Sequence, residues 1–234
     1  MAAEITTLID KQDNNEIIRD QLAAILAIEI SNQRALAVTA GKSEPDEFFF
    51  NVTVESTKPL EVISDPDGME SGEIKVGLVN VFFESDDFAN PGSNVVESQK
   101  VKGSFIFDCY AHKNTTIDQN DDDSIILNGD ELSSREADRI ARFVRNIIMS
   151  AQYTYLKLGR ENANIVQKRY IQRREKFAPE QQNPNLNNVV GCRLSLTVDY
   201  VEFSPQNVLD TLDTLITQCT RSSDGLILFE YQAT

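Results

Sequence analysis

Two stretches near the middle of the chain limit its fold more than any other feature. Residues 73–84 read EIKVGLVNVFFE, and residues 95–112 read VVESQKVKGSFIFDCYAH. In the first, Ile74, Val76, Leu78, Asn80 and Phe82 fall on one face, and Val79, Val81 and Phe83 on the other. In the second, Ser104, Ile106, Asp108 and Tyr110 alternate with Phe105, Phe107, Cys109 and Ala111. A period of two is the signature of a strand, and apolar residues on both faces call for cover on both sides. Between them, residues 85–93 (SDDFANPGS) are rich in turn formers. The expectation is a long antiparallel hairpin. Hairpins with long polar starts can project beyond a core, and residues 84–112 are the candidate.

Other elements gather around this pair. Residues 15–40 place Ile17, Ile18, Leu22, Ile25, Leu26 and Ile30 at three- and four-residue steps, a helix that Gly41 should end. Residues 48–54 (FFFNVTV) read as a strand. Residues 58–72 form a polar connection, and residues 113–132 an acidic loop. Ser133 and Glu136 have capping-box spacing for a helix with an apolar stripe from Ala137 to Tyr155, stopped by Gly159. Arg135, Arg139, Arg142 and Arg145 lie on its other side, as a solvated face or as an interface to an acidic neighbour. Residues 165–176 (IVQKRYIQRREK) and 189–203 read as strands, the latter half-buried through Cys192, Leu194, Leu196 and Val198. Ser204 and Pro205 suit N-cap and N1 of a last helix with Val208, Leu209, Leu212, Leu215, Ile216 and Cys219, and residues 225–232 a final strand or tail.

The order α-β-β-β-α-β-β-α-β clusters its strands in runs. That predicts an α+β fold: a mostly antiparallel sheet with a long β-hairpin, flanked by helices. One domain over residues 1–234 is expected, with residues 207–234 as a C-terminal helix and tail. No apolar run is long enough for a transmembrane helix, and residues 1–7 lack the basic start of a signal peptide. A soluble chain from a reducing compartment follows, with Cys109, Cys192 and Cys219 as small buried hydrophobes.

Charge is unevenly spread. Residues 1–134 hold 9 Lys/Arg against 26 Asp/Glu, and residues 135–234 hold 13 against 11. The net of −15 repels nucleic acid and anionic membrane on average. The two halves, however, can attract each other across a subunit boundary. Acidic loops that keep the protein soluble account equally well for each acid taken singly.

Candidate chemistry is sparse. His112 is the chain's one histidine, and no Gly-x-Ser-x-Gly, P-loop or dinucleotide fingerprint occurs. The run DQNDDD at residues 118–123 hints at calcium, yet lacks the EF-hand glycine and glutamate. Neither a metal nor a cofactor is expected, nor an enzyme. Residues 160–176 carry six basic and two acidic residues near Tyr170 and Phe177, the best case for a nucleic-acid contact.

The succession GLVNVFFESDDF, KGSFIFDCYA, SSREADRIARFVRNIIMSAQYTYLKLG, RYIQRREKFAPE and VVGCRLSLTVDYVEFSPQ resembles the tail-terminator (neck) proteins of contractile-tailed bacteriophages, over about residues 15–206. The resemblance implies a virion protein made in the host bacterial cytoplasm. It also implies a ring, commonly of six copies, that caps the tail tube and joins it to the head. The partners implied are the tail tube protein, the tail sheath and a head-proximal connector, with DNA passing through the lumen unread and no membrane contact. Under it, Arg169, Arg173 and Arg174 would meet acids of the next subunit such as Asp86 and Asp87, with Arg139 and Arg142 as further interface candidates. Alternatives are another neck or tail component (tube, sheath-contacting or head-completion), a nucleic-acid-binding regulator, and an enzyme or ligand-binding module.

Overall fold

A computed structural model describes residues 13–42, 50–57, 77–89, 98–113, 116–118, 125–156, 158, 165–179, 189–203, 215–220 and 227–233. Contacts divide the chain into two compact units, Gln12–Phe203 and a smaller one of Met1–Lys11 with Ser204–Thr234, where the sequence suggested a single domain.

The larger unit is a two-layer α+β structure. Its elements are α1 (Asn14–Thr39), β1 (Phe50–Val54), β2 (Gly77–Phe88), β3 (Ser98–His112), β4 (Thr116–Asp118), β5 (Ile125–Leu127), α2 (Gly129–Ile148), β6 (Val166–Phe177) and β7 (Val189–Phe203). Five strands form one sheet in the order β1-β2-β3-β7-β6. It is mixed: β1 runs parallel to β2, and the other pairings are antiparallel. The expected hairpin is present as β2 and β3, but β3 is paired with β7 along its full length, from Ser98 opposite Phe203 to His112 opposite Val189. The strands of the hairpin thus lie within the sheet; the tip at residues 90–97 lies outside the described residues.

One sheet face carries both helices. Val79, Val81, Phe105, Phe107, Leu194, Leu196 and Val198 project from it against Ile18, Leu22, Ile25 and Leu26 of α1 and Ala137, Ile140, Ala141 and Val144 of α2. Each fully buried Leu, Ile, Val or Phe is worth about 1.5–3 kcal/mol, so this layer supplies most of the unit's stability. Gly41 ends α1 as anticipated, at φ +66.

Several expectations are corrected. Residues 85–88 extend β2 and do not turn. Residues 113–132 are not one loop, since β4 pairs with β5 and α2 begins at Gly129. That start takes Asp130 and Glu131 into the first helical turn, where acids suit the helix dipole. The capping box is not used: Ser133 Oγ donates to Gly129 O and accepts from the Lys113 N–H, both at 2.7 Å, inside the helix. The helix stops at Ile148, and a 3-10 turn, Ala151–Tyr153, follows, so Tyr155 is not on its stripe; Gly159 lies outside the described residues. In the smaller unit Leu215, Ile216 and Cys219 belong to a strand, β8 (Leu215–Thr220), paired antiparallel with β9 (Ile227–Ala233). A partner strand overrides the helical spacing there. Val208, Leu209 and Leu212 lie outside the described residues.

Candidate assembly surface

Charge follows the order of strands. α1, β1 and β2 together carry two basic and six acidic residues and occupy one side of the sheet. β6, at the opposite edge, carries five basic residues and one acidic. Among the described residues, charge is therefore asymmetric across this sheet.

The seven candidate interface residues divide by what they already hold. Arg169 faces the helix layer. Its guanidinium donates to Ile148 O (2.9 Å), Ser150 O (2.8 Å) and Tyr153 O, which ties β6 to the last carbonyl of α2 and to the 3-10 turn after it. Burial pushes its pKa down. Arg174 also turns to that side and pairs with Asp138 of α2 at 3.2 Å, next to Lys176 at 2.7 Å from the same carboxylate. Both arginines thus make contacts within their own chain. Arg173 lies on the open face, 68% exposed, and pairs with its neighbour Glu175. Arg139 is exposed beside Glu136, and Arg142 is exposed with no ion pair among the described residues.

The two aspartates differ for a reason that lies in the backbone. A register shift between Phe83 and Ser85 inserts one residue into β2. Before it, odd-numbered residues face the helices; after it, even-numbered ones do. Asp86 therefore turns inward, opposite Gly103, where the Tyr200 hydroxyl donates to it at 2.8 Å. Gly103 is required by this approach, since a Cβ there would lie 2.8 Å from the Tyr200 ring and 2.9 Å from Asp86 Oδ1. Asp87 stays on the open face in a cross-strand row of alternating charge: Asp87, Lys102, Asp199, Lys168.

Asp86 belongs to a polar knot at the start of α1. Asn14 Nδ2 donates to Val201 O (2.9 Å) and Glu202 (3.1 Å), and Asn15 and Asp13 lie beside Asp86. Desolvation raises the pKa of Asp86 against the opposing Tyr200 hydrogen bond, and desolvation followed by the charge of Asp13 raises that of Glu202. The Tyr200 phenol is driven up by burial and by donating to Asp86.

On the open face the sequence concealed a second feature. Arg193 Nε and NH2 grip Asp108 Oδ1 and Oδ2 at 2.7 and 2.8 Å. The guanidinium lies 5.7 Å from the Phe82 ring and 5.3 Å from that of Phe177, while Phe177 meets Tyr110 edge-on. This pair, with Asp108 buried, closes the middle of a face that no described helix covers. A lone acid within FIFDCYA and a lone base within VVGCRLSL were the available signal.

The two cysteines whose side chains are described are held as thiols. Cys109 and Cys192 sit directly opposite each other on β3 and β7, unbonded and buried. Burial pushes the Cys109 thiol well up and that of Cys192 to about 11, so both stay protonated. Burial lowers the His112 pKa. Among the described residues no three His, Cys, Asp or Glu side chains converge as metal ligands. Helix α1 is long and apolar enough to span a membrane by length and composition, but its apolar residues Ile18, Leu22, Ile25 and Leu26 pack in the core.

Comparison with protein-family models gave no match, and comparison with curated proteins gave none either.

Proposed function

We propose that this chain is a structural subunit that associates side to side with copies of itself into a closed ring. The observation that carries the reading is the layout of charge: an acidic side at α1, β1 and β2, and a basic edge at β6. Identical copies set side by side present opposite signs to each other, and a head-to-tail contact closes when its rotation divides a full turn. Joined to the sequence resemblance, this gives a tail-terminator ring of a contractile-tailed phage, of about six copies, capping the tube beneath a neck connector. DNA would pass through its pore by charge repulsion and without base recognition.

The test is the mass of the purified protein by light scattering over a range of concentrations, followed by negative-stain imaging, alone and with isolated tail tubes. A closed ring with a central pore is expected. A monomer under all these conditions overturns the reading.

A further inference from the structure

Helix α1 is apolar on two opposite faces. One packs on the sheet through Ile18, Leu22, Ile25, Leu26 and Ile30. The other runs through Ala24, Ala27, Ile28, Ser31, Ala35 and Val38, all exposed, with Ile28 at 59% and Val38 at 60%. A helix apolar on two opposite faces suits a place between two layers, and this chain supplies one. Beside the stripe a groove of about 230 Å³ opens between α1 and β1, lined by Ile30, Ser31, Phe50 and Val52, with Arg34 in its wall. Arg34 already has a partner in its own chain. β1 is an end strand of the sheet, with its outer edge unpaired among the described residues. Acids flank the region: Asp20 and Glu55, each about half exposed, both touch Arg19.

We infer that the outer face of α1 and the adjoining β1 groove seat a second copy of this chain, which presents its basic β6 edge. The occupant is chosen by charge, because β6 is the other end strand and keeps Lys168 and Arg173 on its open face, whereas Arg169, Arg174 and Lys176 are held within their own chain. Its contact is made by side chains and does not extend the ladder. Two register shifts, at Val166/Lys168 and Ile171/Arg173, and the long cations of β6 block plain strand pairing, as edge strands commonly do. Lys168 and Arg173 have aliphatic stems to lay on Ile28 and Val38 while their heads reach the acids. The inference rests on the ring reading and names the contact that ring would use.

Ile28→Arg and Val38→Arg, made separately, test it in the full chain. Each side chain is exposed, so far-UV circular dichroism and the thermal midpoint should match the parent, while association weakens about tenfold or more, the mark of a contact at the centre of an interface. A mixture of Ser31→Cys and Arg173→Cys chains treated with a short bis-maleimide should give a heterodimer above the background of the unsubstituted chain. Rings of unchanged mass in both arginine variants overturn the inference and leave the ring reading intact. Ser31→Cys chains that cross-link to one another as well as to Arg173→Cys also overturn it, in favour of two α1 helices packed about a two-fold axis. An unsubstituted chain that forms no rings removes the ring reading and this contact with it.

Discussion

Arg193 and Asp108 are the residues whose loss should be felt most. Their side chains join the two central strands, and Asp108 is 5% exposed. Arg193→Met keeps the bulk over Phe82 and Phe177 but leaves a buried carboxylate alone. Breaking such a pair costs about 3 kcal/mol, at the low end of the buried range because the arginine is partly wet. A fall in thermal midpoint of roughly 6–12 °C is expected; a midpoint within a degree of the parent would show the pair to be idle. The knot around Asp86 should act through pH. Its folded pKa and that of Glu202 are raised above their ordinary values, so the native state holds protons that the unfolded chain has released. Stability from these groups is therefore greatest in mild acid and declines as pH rises through the folded values. The Asp86→Asn, Glu202→Gln double variant should gain on the parent near neutrality, with the gap closing as pH falls toward the usual carboxylate range. A gap that stays constant in pH-resolved urea melts would contradict this.

At the scale of elements, Arg169 links β6 to the end of α2. Its planar fork brings three separate nitrogens to three carbonyls, where a lysine brings one. Arg169→Lys should thus cost roughly 1–2 kcal/mol in urea unfolding despite keeping the charge, whereas Arg173→Glu should leave unfolding unchanged. Equal costs for the two would remove the distinction between an inward and an outward arginine. Most elements were legible from spacing: α1, α2 and β7 buried the stripes their sequences display, because one-sided burial enforces period, and β2 and β3 were legible from alternation with apolar residues on both faces. What stayed hidden was set by neighbours. The inserted residue after Phe83 leaves no mark on composition, yet it decides that Asp86 and not Asp87 faces inward. Leu215 and Ile216 have helical spacing, but β9 gives them a strand to pair with. The interface arginines were chosen by sign alone; which face each takes followed from two further shifts in β6.

For the whole molecule, association driven by opposite charges should yield to salt. Between about 0.05 M and about 1 M, the screening length falls from over 10 Å to about 3 Å. For the proposed ring, light scattering should show the assembly giving way to monomers over that range, less steeply if the apolar face of α1 carries much of the contact. Masses that do not move would mean that charge only selects the partner. The same layout sets a timetable during synthesis. Synthesis runs from the N-terminus, so α1 and β1 to β3, the acidic part, are made while β6 is still untranslated. Neighbouring nascent copies on one message then bear like charge and keep apart. The basic edge arrives only with β6, when most of the sheet has already been made.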